Sequence, residues 1–136
     1  MNTDDLETPP WLFNHYARRI RFTIDAAASD FNHLLPRYWT FEDNALIQDW
    51  SKEIVWCNPP YSKPRLFLER AASAEAAVCL VKGDPSTQWW RDYVEGKATV
   101  IWLPKRVKFL YRGKPTKHTA SFPSAILLYG FQAKNP

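Results

Sequence analysis

Glycine is scarce in this chain, with four among 136 residues and none before Gly83. Eleven prolines accompany them, so the connections between elements are expected to be tight and stiff rather than flexible linkers. Cysteine is limited to Cys57 and Cys79, both inside apolar, strand-like runs. With only three scattered histidines (His15, His33, His118) beside them, no metal site is expected. The two thiols read as reduced and buried, as in a cytosolic protein. No window approaches eighteen consecutive apolar residues, which leaves no membrane-spanning helix to expect. The opening Met1-Asn2-Thr3-Asp4-Asp5 is acidic and polar, unlike a secretory signal. Acidic residues are missing altogether from residues 96–136.

That last absence organises the charge. Residues 96–136 carry eight Lys/Arg against no Asp/Glu, while the rest of the chain is net acidic. Lys105, Arg106, Lys108, Arg112, Lys114 and Lys117 crowd into thirteen residues. Such a block suits an anionic partner, although a plain solvated loop would look the same. Aromatics make up 15% of the chain and hydrophobic residues 46%, enough for an ordinary packed core. At this length a single domain over residues 1–136 is expected.

Apolar runs and proline punctuation outline the elements. Thr8 is placed to cap a helix that opens on Pro9-Pro10 and carries Leu12, Tyr16 and Ile20 at helical spacing. Phe22-Thr23-Ile24 reads as a short strand ending at Asp25. Residues 26–50 show no clean period, with at most a short strand around residues 38–41. Ile54-Val55-Trp56-Cys57 is a β-rich run stopped by Asn58-Pro59-Pro60. Ser62 is positioned to cap a helix through Leu66, Phe67, Arg70 and Ala74. A continuously apolar strand follows at residues 77–81, of the kind found in sheets covered on both faces. Asp84-Pro85-Ser86 opens a helix bearing Trp89, Trp90 and Tyr93, which Gly96 ends. Strands at residues 98–103 and 125–129 close the series, and their alternation with helices predicts a layered α/β fold.

Within that order, Asn58-Pro59-Pro60-Tyr61 stands directly after a strand. Its bland reading is a turn that ends the strand. Its position nevertheless puts Asn58 and Tyr61 at the carboxyl edge of a parallel sheet, where α/β folds bind ligands.

A strand followed by Asn-Pro-Pro-Tyr resembles the amino-group methyltransferases that use S-adenosylmethionine. The likeness extends to Thr8-Pro9-Pro10, Phe22–Ser29, Arg37-Tyr38-Trp39-Thr40, Glu42-Asp43-Asn44, Trp89-Trp90 and Phe122-Pro123-Ser124. In that order these segments are similar to the phage-encoded, Dam-type DNA N6-adenine methyltransferases, over roughly residues 7–130. The resemblance implies a truncated, Rossmann-like methyltransferase sandwich of three layers, its sheet mainly parallel with an antiparallel last strand. Only 32 residues separate Asp25 from Asn58, so a truncated sheet is expected, with the strands on one side of the first strand reduced or absent.

The resemblance also implies a chemistry. An exocyclic amine conjugated to its ring is a poor nucleophile. The Asn58 side-chain carbonyl and the Pro59 backbone carbonyl could accept its two hydrogens and favour a pyramidal nitrogen. Pro60 would stiffen the loop, and Tyr61 would offer a face to an extruded base. Thr8, Pro9, Asp25, Ala26, Ala27 and Asp43 are the implied cofactor contacts, spanning residues 7–61 with the catalytic loop. Asp43 is favoured narrowly over Glu42, with Asp49 a weaker candidate, and each could equally be capping a turn. Family members usually have glycines after the first strand, whereas this chain has Ala26-Ala27-Ala28. Residues 104–123 are left as the DNA-contacting insertion, with Lys105, Arg106, Lys108, Arg112, Lys114 and Lys117 on phosphates. Phe109 or Tyr111 would be a wedge or stacking platform among them. Trp89 and Trp90 fit core packing better than a base pocket, and Trp50 and Trp56 read as core.

The expected location is the cytoplasm of a bacterial host, with DNA as partner. A chain this small could bind a duplex as a homodimer. Two other readings stay open: a DNA-binding protein that has lost cofactor binding, motivated by the glycine-free turn, and a protein-glutamine methyltransferase, which shares Asn-Pro-Pro-Tyr.

Overall fold

The computed structural model describes residues 2–131; Met1 and residues 132–136 of the expected domain lie outside the described residues. One five-stranded sheet runs through it, built from β1 (Ile24–Asp25), β2 (Ile54–Cys57), β3 (Ala76–Lys82), β4 (Thr99–Trp102) and β7 (Ser124–Tyr129). A small hairpin of β5 (Leu110–Tyr111) and β6 (Lys114–Pro115) stands apart from it. The sheet order is β1-β2-β3-β7-β4. β1, β2 and β3 pair in parallel, and β7 is inserted antiparallel between β3 and β4. Four of the five strands therefore point one way, which is the mostly parallel sheet with an antiparallel last strand expected above.

Both faces of the sheet are covered, as the continuous apolar run of β3 requires. Val55, Cys57, Ala77, Cys79, Val81, Leu127 and Tyr129 point to one core, closed by Phe67, Leu68 and Ala71 of α2 (Pro64–Ser73) and Trp90 of α3 (Gln88–Tyr93). Trp56, Val78, Leu80 and Ile126 point to the other, closed by Leu12 and Phe13 of α1 (Pro10–Ala17) and by Val107 and Phe109. Burying a large apolar side chain is worth about 1.5–3 kcal/mol, and Trp50 and Trp56 are buried as expected.

Several local expectations need correction. The helix after Thr8 is capped from Pro9, with no side-chain cap bond, while Thr8 is buried. Ser62 does not cap α2; that place falls to Lys63, again with no side-chain bond. α3 begins at Gln88, because Asp84 spends its carboxylate on Ser86 (2.6 Å to Oγ) in a local turn. Within α2 the buried stripe is Phe67, Leu68 and Ala71, and Leu66 faces solvent.

β1 lies at the sheet's edge, so the sheet is truncated on that side. All that remains of a further strand is the single parallel bridge Asp25–Tyr38, flanked by hydrogen bonds of Asp25 with Arg37 and Trp39. Arg37 clamps Glu53 with two 2.6 Å contacts, holding this segment against the start of β2.

Glycine is indispensable at Gly130, which ends β7 with φ 86°. A Cβ there would stand 2.5 Å from the Glu75 carbonyl oxygen. Gly130→Ala is expected to lower stability by about 1–3 kcal/mol, read as a lower melting temperature. A melt indistinguishable from wild type would show that the β7 exit can shift.

Candidate functional site

The carboxyl ends of β1, β2 and β3 lie side by side, and each carries a polar residue or loop. β2 runs into Asn58-Pro59-Pro60-Tyr61, with Pro59 buried and Asn58 half-buried. The Asn58 side-chain nitrogen donates to the Leu6 carbonyl at 3.1 Å. That bond fixes the amide plane and turns Oδ1 away from Leu6 as an acceptor. Tyr61 packs edge-on against Phe109 and Phe122, with centroids at 6.1 and 5.6 Å. Burial raises its hydroxyl pKa well above the ordinary phenol, so the group stays neutral. An open cleft of about 190 Å³ adjoins this ring, lined by Tyr61, Pro64, Lys82, Asp84, Thr87 and Trp89.

Asp25 ends β1 with only 4% exposure. Leu34 N–H donates to its Oδ2 at 3.0 Å, but no ion pair reaches it among the described residues. Burial pushes its pKa from 3.8 up to about 6, against the pull of the Leu34 and Ala27 amides and of nearby His33. A buried carboxylate with no ion-paired partner among the described residues, at a parallel sheet's carboxyl edge, is the kind of group that marks a ligand site.

The turn after β1 holds its shape without glycine. Ala26 N–H bonds to Trp56 (2.9 Å) and Ala28 N–H to Trp39 (3.0 Å). None of the three alanines has a positive φ, so a Cβ is tolerated along the turn. Asp43 lies in the next loop, where Oδ2 accepts from Thr40 N–H (2.8 Å) and Thr40 Oγ1 (3.1 Å). Glu42 and Asp49 are exposed. Thr8 and Pro9 are buried, two and three residues after the Leu6 carbonyl that holds Asn58.

Residues 104–123 form part of the domain's packing and no free solvated hairpin. Val107 and Phe109 are 2% and 1% exposed and help close the second core. Phe109, under Tyr61, is therefore no wedge, and Tyr111 is half-buried beneath the Arg112 guanidinium. The cations alternate outward: Lys105, Arg106, Lys108, Arg112, Lys114 and Lys117 are all exposed. Trp90 is core, as expected, whereas Trp89 is half-buried and borders the cleft.

Sequence reasoning missed Lys82, Asp84 and Thr87. Lys82 ends β3 and the other two follow it, so the edge rule that picked out Asn58 would have found them too. It also missed Asp4, whose carboxylate accepts from Ser62 N–H at 2.8 Å, a pairing across 58 residues that leaves no local trace.

A mostly parallel α/β sheet with its polar groups along one carboxyl edge defines a Rossmann-like ligand-binding fold, compatible with a methyltransferase. The comparison with known families is specific: the family described as DNA N-6-adenine-methyltransferase (Dam) matches residues 1–136, and the chain belongs to it. The DNA N-6-adenine-methyltransferase of Haemophilus phage HP1 (strain HP1c1) is 33% identical over 115 residues, 78% of this chain and 66% of that protein. The protein of the same name from Escherichia phage T1 is 33% identical over 88 residues, 61% of this chain and 37% of that one. The chain thus spans just under two thirds of the first relative and 37% of the second. No helix among the described residues is long and apolar enough to cross a membrane.

Proposed function

We propose that this protein methylates the N6 amino group of adenine in DNA, using S-adenosylmethionine. The observation that carries the reading is Asn58, its nitrogen tied to Leu6 and its oxygen left as an acceptor, in the loop whose Tyr61 lines the cleft. Asn58 Oδ1 and the Pro59 carbonyl accept the hydrogens of the target amine and draw its lone pair out of the ring. Tyr61, neutral and braced by two phenylalanines, forms a wall of the pocket for a base taken out of the stack. Most of the acceleration then comes from holding the amine in line, since no strong base is required.

The residues present fit the cofactor. Asp25 offers a buried carboxylate to the methionine ammonium, and the Ala26-Ala27-Ala28 turn lies next to it. Thr8 and Pro9 are assigned to the cofactor's methionine part, and the carboxylate of Asp43 to the ribose hydroxyls. When bound, S-adenosylmethionine supplies an electrophilic methyl group on a sulfonium.

DNA is read as held by the six exposed cations of residues 105–117. Phe109, buried between two of these cations in sequence, and the half-buried Phe122 both pack on Tyr61, which ties the basic segment to the Asn58–Tyr61 loop. Neutralising Lys105, Arg106 and Lys108 together is expected to weaken DNA binding. It should also reduce the slope of log affinity against log salt by about 0.9 per lost contact. An unchanged slope in fluorescence anisotropy would remove these residues from the interface.

The function itself is tested by incubating the protein with methyl-labelled S-adenosylmethionine and unmethylated DNA, then digesting to nucleosides. Label in N6-methyladenine is the expected result. DNA binding without label would replace this reading with a non-catalytic DNA-binding protein. Label in a protein substrate alone would point to glutamine.

A further inference from the structure

We infer that residues 4–7 form a strap that positions the catalytic loop and the basic hairpin together, with Asp4 and Glu7 as its two positioning residues. The inference rests on the methyltransferase reading above and deepens it. Asp4 accepts hydrogen bonds from both the backbone N–H and the hydroxyl of Ser62, the residue after Tyr61. Two residues on, the Leu6 carbonyl holds the Asn58 amide at 3.1 Å. The Asn58–Ser62 loop is therefore gripped at both ends, by Leu6 at Asn58 and by Asp4 at Ser62. Glu7 then turns to the hairpin. Its backbone pairs with Leu110 in both directions (2.8 and 2.9 Å), adding one residue of strand to β5. Its carboxylate accepts from Gly113 N–H at 3.0 Å.

That last contact lies at the demanding point of the hairpin. Arg112 and Gly113 both have positive φ (52° and 79°), the two-residue turn that matches the strand twist. Arginine is not at ease in the left-handed region, so an external acceptor on the turn helps to hold the Arg112 conformation. Thr8 and Pro9, both buried, anchor the strap where it enters α1. Asp4, Leu6 and Glu7 thus reach the two parts of the protein that must act on one nucleotide: the acceptor for its amine and the cations for its phosphates.

The two ends of the strap differ in what they hold, so their loss should differ kinetically. Asp4→Ala frees the end of the catalytic loop and is expected to lower kcat by about 10–100-fold, the scale of a small misplacement of reacting groups. DNA affinity should stay within about twofold. Glu7→Ala releases the hairpin turn and is expected to weaken DNA binding about fivefold, the scale of an exposed charge contact, with kcat nearly unchanged. Asp4→Asn and Glu7→Gln keep an acceptor at the same place and should restore most of each loss. A Ser62→Ala change on top of Asp4→Ala should add little, because the two share the hydroxyl bond.

The experiment measures kcat and KM for methylation, DNA affinity by anisotropy and the melting temperature for wild type and these variants. The split between Asp4 and Glu7, with rescue by the amides, supports the strap. Folded alanine variants with wild-type kcat and DNA affinity would overturn it. So would losses in both parameters that follow the melting temperature and are not rescued by Asn or Gln. Wild-type protein that transfers no methyl to DNA would overturn the methyltransferase reading itself, a result distinct from active wild type with unaffected variants.

Discussion

Asn58→Ala is expected to abolish methyl transfer to DNA while leaving the protein folded. The substitution removes the acceptor on which the mechanism turns. Deleting a single preorganised hydrogen-bonding group at a reacting centre commonly costs on the order of 10²–10³-fold in kcat. Here the loss should reach or exceed that range, because in the proposed mechanism the acceptor would make the amine nucleophilic as well as orient it. The structural cost is small by comparison. Asn58 is half-buried and gives up one bond, to the Leu6 carbonyl, worth about 1 kcal/mol. Asn58→Asp separates the two contributions: it keeps an acceptor for the amine but sets a carboxylate against the Leu6 carbonyl oxygen. Partial activity with a lowered melting temperature is the expected outcome. Single-turnover methylation and thermal unfolding check both variants. An Asn58→Ala protein that retains wild-type turnover would remove Asn58 from the chemistry and leave the loop a strand-ending turn.

The strands of the main sheet and the place of the Asn58–Tyr61 loop after β2 were legible because they rest on local signals. Residues 54–57 and 77–81 are apolar runs bounded by prolines or charge, and they emerge as β2 and β3, paired in register from Ile54–Ala76 to Cys57–Cys79. Residues 26–50 resisted because their order comes from single polar contacts with no period. Asp43 staples Thr40, Asn44 caps Leu46, and the Trp50 indole N–H bonds to the Ala45 carbonyl at 2.8 Å. The basic segment misled for a different reason. Val107, Lys108 and Phe109 alternate as a strand does, but the density of charge hid the inward pair that covers the second sheet face. The caps assigned to Thr8 and Ser62 show the limit of local rules: one side chain is buried instead, and the other answers to Asp4 from the far end of the chain.

The same contrast between local and distant causes applies to Asp25. Its neighbours in sequence are ordinary, yet the fold encloses it with no ion-paired partner among the described residues, at a cost to stability. The carboxyl titrates at about 6 in the folded chain against an ordinary 3.8. A folded pKa above the unfolded one means that the folded state favours the protonated acid. That contribution is full below pH 3.8 and is lost as pH rises through about 6. The difference corresponds to about 3 kcal/mol at neutral pH. Asp25→Asn is therefore expected to be more stable than wild type at pH 7–8 without ligand, with the advantage gone below pH 4. About 3 kcal/mol is the ceiling, since the amide also gives up an acceptor oxygen that serves the Leu34 and Ala27 N–H groups. Adding S-adenosylmethionine should reverse the order. Wild type should gain melting temperature at pH 7.5 and gain less at pH 5, where the carboxyl is largely protonated. The variant should gain little at either pH. The proposed cationic ligand would account for a charge kept at such expense, in a position where a neutral isostere would fold better. If Asp25→Asn binds S-adenosylmethionine as wild type does in calorimetry, the carboxylate serves the fold alone, and the methionine ammonium has another partner.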